Sequence, residues 1–273
     1  MFAKNPMVRI SKHQVEKFTP APVETAKKYS AIYEIGVECG FISPRVISTG
    51  VDRVVLERIK NIISLRELYI ANKQNILENI VYKTGEILAS LHTRLSSTEA
   101  VRWTPPTGFM RDVCRYSTQE IDYAQLPHST LHGDYSFANV FVLANSVDTI
   151  VIIDPCPNFA STFEYWSLAP VYVDVGKMLA CLEGQIPARY QHRRPAAPRV
   201  NELQGCFISG YEQVGNKLNT MVAHSFAFAV VSAQFRRRFG KFGLLHRTAL
   251  YNSIRGNFPF SNKSKDVRSN WHE

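Results

Sequence analysis

The stretch LHGDYSFANVFVLANSVDTIVIIDP, from Leu131 to Pro155, places its most polar side chains next to hydrophobic runs. The runs VFVLA and TIVIID flank the segment NSVD as the two strands of a β-hairpin would. His132 and Asp134 precede the first strand, Asn139 adjoins its start, and Asp154 ends the second strand. Two carboxylates and an amide oxygen that converge from adjacent strands can hold a hard divalent cation such as magnesium. The spacing therefore suits a bound divalent cation at one end of a hairpin.

Length and composition indicate a folded chain rather than a disordered one. The sequence has 273 residues, of which 45 % are hydrophobic and 20 % are charged, and this length suits one large domain or two small lobes. The five cysteines are odd in number and include no C-x-x-C pair of a zinc or redox site. The sequence contains no apolar run of the roughly 20 residues that cross a membrane, and no signal-peptide core near its start. We therefore expect a soluble, cytoplasmic protein.

The net charge of +9 favours an anionic partner, which can be nucleic acid, anionic lipid or a phosphate-bearing small molecule. The excess is concentrated after Lys177, in the runs QHRRP, FRRRFGK and NKSKDVRSN. Such runs are also typical of solvated protein surfaces. The sequence has no recognisable nucleic-acid-binding motif, so we do not expect nucleic acid as the partner. The oligomeric state is left open.

The remaining pattern is mixed, with strands first and helices later. Residues Val8 to Phe18 alternate with period two and predict an early strand, which Pro20 and Pro22 interrupt. From Pro22 the apolar spacing predicts a helix that ends at Gly40. The runs PRVIST and RVVLERI predict two short strands. A long amphipathic helix is predicted over residues 72–95, and mainly helices are predicted after the hairpin.

The loop and the hairpin end resemble those of a known superfamily. HGDYSFAN resembles the catalytic loop of the protein-kinase-like phosphotransferases, in the H-G-D-x-x-x-x-N form of aminoglycoside phosphotransferases and choline kinases, and IIDP resembles their metal-binding segment. The resemblance implies that Asp134 is the catalytic base and that His132 braces the loop. It also implies that Asn139 and Asp154 bind magnesium. Asp134 and Asn139 alone are also common turn residues, but the ordered match of loop, strand and second aspartate favours the site.

Segments on both sides extend this resemblance. VYVDVGKML resembles the helix start whose aspartate, here Asp174, anchors the catalytic loop, and GEILASLH resembles the end of the preceding long helix. Lys17 in QVEKF matches the strand lysine that touches the nucleotide phosphates. Glu34 is its implied helix partner, and Glu38, one turn further along, is the alternative. In VVLERI, the backbone around Glu57 to Ile59 is the implied hinge that receives adenine.

The resemblance is weakest ahead of Lys17. Families of this type usually cover the phosphates with a hairpin before the lysine strand, and this hairpin often bears glycine. The present sequence has no glycine before Gly36 and only 16 residues ahead of Lys17. We therefore expect a reduced N-terminal lobe. Either Lys17, magnesium and the hinge are the main contacts that hold the nucleotide, or catalysis is weakened.

The acceptor is the least determined feature. CPNFASTFEYWSLAPVYV lies where such kinases often build their acceptor site. Its aromatic residues, together with Glu164, suit a box for a cationic or sugar-like ligand, because aromatic faces attract cations and stack on sugars: Phe163, Tyr165, Trp166 and Tyr172. The same cluster also suits core packing. The basic C-terminal part favours an anionic acceptor instead, so the acceptor is left open.

Motifs and resemblance together predict an α+β, bilobal, protein-kinase-like fold. Residues 1–59 are predicted to form the reduced N-terminal β lobe, and residues 60–273 the mainly helical C-terminal lobe. The implied function is the transfer of a phosphoryl group from ATP, with Mg²⁺, to a hydroxyl of a small molecule. H-G-D and IIDP replace the H-R-D and D-F-G of protein kinases, which favours a small-molecule acceptor over a protein. The alternative is a non-catalytic, kinase-like nucleotide-binding protein that regulates a partner.

Overall fold

The structure is a computed structural model that describes residues 8–71, 74–95, 100–105, 108–117, 121–155, 167–183, 197–215 and 217–239. Its first sheet is antiparallel throughout and has the strand order β1-β2-β4-β3. The four strands are β1 (Val8–Ile10), β2 (Gln14–Phe18), β3 (Val46–Thr49) and β4 (Arg53–Glu57).

The early strand predicted over Val8 to Phe18 is two strands, β1 and β2, which pair with each other. Ser11 makes the turn between them. Its backbone N–H donates to the Gln14 carbonyl at 2.9 Å, and its hydroxyl oxygen accepts the Gln14 N–H at 3.1 Å. Such hydrogen bonds between a side chain and the nearby backbone favour a turn over an extended chain. The segment therefore forms two short strands rather than one. β2 then places Lys17 opposite Val54 of β4.

The helix predicted from Pro22 is confirmed as α1 (Pro22–Cys39), which lies between β2 and β3 in the chain. Pro22 is the first helical residue, where a missing N–H is not needed for the helix ladder. Gly40 ends the helix with a φ of 77°, a left-handed conformation that glycine adopts without strain. Ala26 and Tyr29 on its buried face pack with Val54 to form the small core beneath the first sheet.

After β4 the chain forms two further small sheets and six helices within the described residues. In chain order these are β5 (Ile62–Ser64), α2 (Leu65–Ala71), α3 (Gln74–Arg94), β6 (Val101–Arg102), α4 (Phe109–Ser117), β7 (His128–Thr130), β8 (Val140–Leu143), β9 (Ser146–Ile152), β10 (Ser167–Pro170), α5 (Tyr172–Leu182), α6 (Ala197–Val214) and α7 (Thr220–Phe239). The long helix predicted over residues 72–95 is confirmed as α3. The mixed α+β class and the mainly helical C-terminal part are confirmed as well.

The predicted hairpin is β8 and β9, which belong to a sheet of order β5-β8-β9. Its turn is shorter than the predicted segment NSVD, because β9 already begins at Ser146, which pairs with Leu143. A shift in register between Val142 and Leu143 accommodates the tighter turn. β5 joins the same sheet, so residues 58–61 carry the chain from the first sheet to the second. The predicted boundary between the lobes lies in this connection.

The helices pack around one main hydrophobic core. α3 crosses α6 at very short range through Gly85 and Gly210. A Cβ atom on Gly210 would collide with the carbonyl oxygen of Tyr82, and one on Gly85 would collide with that of Phe207. α5 packs against α7, and α5 is buried along its whole length. Within the described ranges, no helix is long and apolar enough to cross a membrane.

Candidate functional site

The loop of residues 131–139 connects β7 to β8 and is held from below by α5. Asp174, in the first turn of α5, accepts the backbone N–H of His132 at 2.8 Å and that of Gly133 at 3.0 Å. Gly133 has a φ of 91°, which is strained for any residue with a Cβ, so the sequence H-G-D suits this turn. The structure thus places Asp174 in the anchoring position that the resemblance implies.

The carboxylate of Asp174 is 1 % exposed and belongs to a buried polar network. Its Oδ2 atom lies 3.3 Å from Nε2 of His92, whose Nδ1 lies 2.9 Å from the hydroxyl of Tyr211. Burial raises the pKa of the Asp174 carboxyl, but the hydrogen bond and charge of His92, together with other nearby positive charges such as Lys28, hold that pKa below its usual value. Asp174 is therefore a negative charge fixed beneath the loop.

The ring of His132 is completely buried and braces the loop at two points. Its Nδ1 lies 3.3 Å from the backbone nitrogen of Asp134, which donates to it, and its Nε2 lies 3.2 Å from the carbonyl oxygen of Ile153. Burial lowers the pKa of His132 to about 4, although the nearby charge of Asp174 opposes this. The neutral ring therefore ties the loop to the end of β9, where Asp154 follows.

Asp134 and Asn139 lie at the two ends of the turn and are joined directly. The amide nitrogen of Asn139 donates to the backbone carbonyl and to Oδ2 of Asp134, both at 2.9 Å. The backbone carbonyl of Asn139 accepts the N–H of Ile153 at 3.0 Å, which brings Asn139 beside the residue that precedes Asp154. The structure therefore brings His132, Asp134, Asn139 and Asp154 to one end of the β8–β9 hairpin.

Asp154 is positioned by backbone conformation as well as by contacts. Its φ is 56°, a left-handed value that is uncommon outside glycine and asparagine and that often marks functional sites. Its backbone N–H donates to the hydroxyl of Tyr29 on α1 at 3.2 Å. Its side chain is 39 % exposed, so it is the most open of the predicted ligands. Asp154 is therefore partly accessible to solvent, whereas Asn139 is 5 % exposed.

Lys17 reaches Asp154 from the first sheet. Its side chain is 4 % exposed, and its Nζ forms an ion pair and hydrogen bond with Oδ1 of Asp154. The same ammonium lies 5.5 Å from the ring centre of Tyr29. The strand lysine and the predicted metal ligand, 137 residues apart in sequence, are thus direct neighbours.

Glu34, the predicted helix partner of Lys17, and its alternative Glu38 both lie on the exposed side of α1. Oε2 of Glu38 lies 2.6 Å from Nη1 of Arg94. The side of α1 that meets the site presents Lys28 and Tyr29 instead. Lys28 is 1 % exposed and donates to the carbonyl of His132 at 3.3 Å. The structure therefore brings a lysine and a tyrosine, rather than Glu34, to the loop of residues 131–139.

The predicted hinge lies at the end of β4. Glu57 is exposed, and its backbone N–H already donates to the Arg45 carbonyl at 2.9 Å. The N–H of Arg58 donates to the His13 carbonyl at 3.0 Å, and Ile59 is half-buried. Contact of Glu57 and Ile59 with adenine stays a prediction.

The aromatic acceptor box falls mostly outside the described residues, which exclude Phe163, Glu164, Tyr165 and Trp166. Its fifth member, Tyr172, packs in the core. Tyr172 is 3 % exposed, its ring centre lies 5.7 Å from that of Phe226, and its hydroxyl accepts the Asn219 N–H at 3.0 Å. For Tyr172, therefore, the structure favours the packing alternative.

Sequence reasoning missed Lys177 as a site residue. Its Nζ lies 3.1 Å from Oδ1 of Asp134, with the two side chains 10 % and 11 % exposed. The available signal was its spacing, because a residue three positions after Asp174 in α5 lies on the same side of the helix. A single lysine in a helix is ordinarily a solvated residue, and its contact with Asp134 follows only from the fold.

The side chains present suit a magnesium ion that is shared with a bound phosphate. No cluster of three or more His, Cys, Asp or Glu side chains forms a metal site in the part of the chain that the structure describes. Magnesium in nucleotide sites typically needs only one or two protein oxygens, because phosphate and water supply the rest. Asn139 uses its amide nitrogen on Asp134, which leaves its amide oxygen for a cation, and Asp154 adds a carboxylate. The pair therefore fits the predicted metal.

Comparisons with known proteins agree with this architecture. No protein-family model matches the sequence, and no curated protein does. Two crystal forms of glucosamine kinase match it with TM-scores of 0.52 and 0.53 at 12 % identity, over 95 % and 94 % of this chain and 74 % and 72 % of theirs. The gentamicin–APH(2")-IIa complex matches with a TM-score of 0.50 at 11 % identity, over 93 % of this chain and 86 % of its own. At these identities the likeness is one of fold alone, and it agrees with the protein-kinase-like fold that the loop motif predicts.

Proposed function

We propose that the protein is an ATP- and Mg²⁺-dependent phosphotransferase that phosphorylates a hydroxyl group of a small molecule. The observation that carries the proposal is the joint placement of Asp134, Asn139, Asp154 and Lys17 around one hairpin end. The structural relatives include glucosamine kinase and an aminoglycoside-binding protein, which supports a phosphotransferase with a small acceptor. The oxygen ligands and the buried lysine suit a bound nucleoside triphosphate.

In this reaction Asp134 orients the acceptor hydroxyl and takes its proton. As the hydroxyl oxygen bonds to the γ-phosphorus of ATP, the bond between that phosphorus and the bridging oxygen of ADP breaks. Asn139 holds the Asp134 carboxylate in place through Oδ2, and His132 holds the backbone of Asp134. Because these groups are set before the substrate arrives, little reorganisation is needed at the moment of transfer.

The nucleotide phosphates would lie between Asp154 and the first sheet. Magnesium, when bound by Asn139 and Asp154, neutralises charge on the phosphates. Lys17 would add a second positive charge from β2, where its side chain is 4 % exposed. In the proposed state Lys17 moves from its contact with Asp154 to the phosphates, so that Asp154 is released for the cation. The connection after Glu57, with Ile59, would receive adenine.

The alternative is a nucleotide-binding regulatory protein without turnover. The observation that favours it is the ion pair between Lys17 and Asp154, because this pair engages both the lysine meant for phosphate and the aspartate meant for metal. The intact arrangement of Asp134 with Asn139 favours the enzyme, since a protein that only binds nucleotide has no use for an oriented base. The alternatives differ in whether an acceptor accelerates ATP consumption.

The test is ADP formation by the purified full chain with Mg·ATP and a panel of small hydroxyl compounds, including sugars, amino sugars, amino alcohols and hydroxy acids. We expect one class to raise ADP formation well above the background hydrolysis, and mass spectrometry should find one phosphate added to that compound. Chelation of magnesium should abolish both signals. Nucleotide binding with no stimulation by any acceptor would favour the regulatory alternative.

A further inference from the structure

The ion pair between Lys177 and Asp134 joins a helix to the catalytic loop. Lys177 lies in the second turn of α5, and its Nζ is 3.1 Å from Oδ1 of Asp134. Both residues are 8 % exposed. A buried ammonium is costly unless it is paired, so the burial of Lys177 depends on its ion pair with Asp134.

Lys177 completes the support of the Asp134 carboxylate. Asn139 donates to Oδ2 at 2.9 Å from the end of the loop, and Lys177 meets Oδ1 from the helix. A carboxylate that is held at both oxygens has a defined plane as well as a defined position. Its remaining lone pairs therefore point in fixed directions, as a base that must meet one hydroxyl requires.

Two residues in consecutive turns of α5 hold the backbone of the loop and the side chain of Asp134. Asp174 accepts the N–H groups of His132 and Gly133, and Lys177, three residues later, holds Asp134. The spacing D-x-x-K places both side chains on one side of the helix. The position of α5 therefore fixes the loop backbone and the base together.

Buried lysines are concentrated at this site. Three lysines are buried among the residues that the structure describes, namely Lys17, Lys28 and Lys177, and they contact Asp154, the His132 carbonyl and Asp134 respectively. By contrast, Lys83 pairs with Asp148 at the same 3.1 Å distance, but there the two side chains are 34 % and 68 % exposed. Ion pairing alone therefore does not bury a lysine in this chain, and the burial of Lys177 is specific to the site.

We propose that Lys177 is a positioning residue that acts through Asp134, an inference that rests on the proposed phosphotransferase function. Lys177 sets the Asp134 carboxylate so that it accepts the proton of the acceptor hydroxyl while the oxygen–phosphorus bond forms and ADP departs. Its effect is on the transfer step rather than on the binding of the nucleotide, because it contacts Asp134, the proposed base.

The test compares Lys177→Met, Lys177→Arg and the matched control Lys83→Met in the full chain, with the acceptor that stimulates the wild type. We expect Lys177→Met to lower kcat about 100-fold, the size of loss that a misplaced catalytic group causes, with little change in the KM for ATP. Lys177→Arg keeps the charge and should recover part of kcat. Lys83→Met should behave like the wild type.

A double variant shows whether Lys177 acts through Asp134. If it does, Asp134→Asn/Lys177→Met will be no slower than Asp134→Asn alone, because the second change removes support from a base that is already lost. Additive losses would overturn the inference, as would a normal kcat in Lys177→Met. Lys177→Gln replaces Lys177→Met if that variant does not fold, and it should also lower kcat, because the shorter, uncharged side chain removes the ion pair with Oδ1 of Asp134. A wild type that phosphorylates no acceptor would instead overturn the proposed function, and the inference with it.

Discussion

Nδ1 of His132 accepts the backbone N–H of Asp134 at 3.3 Å, while Nε2 of the same ring donates to the carbonyl of Ile153 at 3.2 Å. This pairing requires a neutral ring with its proton on Nε2. A doubly protonated ring would lose the bond to Asp134, because Nδ1 would then be a donor that faces another donor. The loop and the end of β9 therefore depend on one uncharged histidine.

The first prediction is a loss of stability at mildly acidic pH. Burial lowers the pKa of His132 and of His224 from 6.5 to about 4, so between these values the unfolded chain binds protons that the folded chain does not. The free energy of unfolding should therefore fall as pH drops from 6.5 to 4, by on the order of 3 kcal/mol for each histidine. Urea unfolding at several pH values measures this.

A control for the first prediction is His224→Gln, which removes one buried histidine in α7 outside the site. It should reduce the pH dependence of the free energy of unfolding between pH 6.5 and 4 and leave turnover unchanged. Equal unfolding free energies of the wild type at pH 6.5 and 4 would contradict the burial of neutral histidines.

The second prediction concerns the crossing of α3 and α6. Gly210→Ala places a methyl group against the carbonyl oxygen of Tyr82, so the helices must separate, and we expect a loss of about 1 to 3 kcal/mol in unfolding free energy. Gly205, in the same helix, has no atom within 4 Å of an added Cβ. Gly205→Ala should therefore stabilise by about 0.5 to 1 kcal/mol through helix propensity. Thermal unfolding of both variants is the measurement, and equal effects would count against the close crossing.

The third prediction tests the role of Lys17. Lys17→Met removes the ammonium that we assign to the phosphates, so the affinity for Mg·ATP should fall about tenfold or more, the size of a lost charged hydrogen bond. Lys27→Met is the matched control, since Lys27 makes a partly exposed pair with Glu24 at 3.1 Å. Calorimetric titration with Mg·ATP compares the two variants. An unchanged affinity in Lys17→Met would remove Lys17 from the nucleotide site.

The fourth prediction concerns the metal. Asp154→Ala should abolish the magnesium dependence of ATP binding, because this carboxylate is the one full negative charge that we assign to the cation, and Asn139→Ala should weaken that dependence less. Asp148→Ala, on β9, the strand that precedes Asp154, should bind Mg·ATP like the wild type, since its side chain is 68 % exposed and pairs with Lys83. Titration with ATP in magnesium and in chelator gives the comparison. Equal affinity of the wild type for ATP in magnesium and in chelator would contradict the proposed metal site.

The site was predictable from sequence where neighbouring residues carry the information. The loop H-G-D-x-x-x-x-N and the aspartate after the second strand belong to one continuous segment, so their spacing alone brings Asp134, Asn139 and Asp154 together. Asp174 was predictable through its motif. Its contacts with the N–H groups of His132 and Gly133 agree with the anchoring role.

The residues that the sequence did not reveal depend on helix orientation. The side of α1 that meets the loop is set by packing on the first sheet, and this packing turns Lys28 and Tyr29 inward and leaves Glu34 exposed. A rotation of α1 about its own axis would turn Glu34 toward the loop and Lys28 toward solvent. The apolar spacing of α1 does not show which of these two residues faces the loop. Lys177 was missed for a similar reason, because its partner Asp134 lies 43 positions earlier and on another element.

The most direct test of the central claim is the turnover of Asp134→Asn measured beside its affinity for ATP. The amide preserves the size of the side chain and removes the group that accepts the hydroxyl proton. We predict that phosphorylation of the acceptor falls about 100- to 10,000-fold, the usual contribution of a general base, while the affinity for Mg·ATP stays within about twofold of the wild type. Undiminished phosphorylation in Asp134→Asn would contradict the account, because the loop would then hold no catalytic base at Asp134.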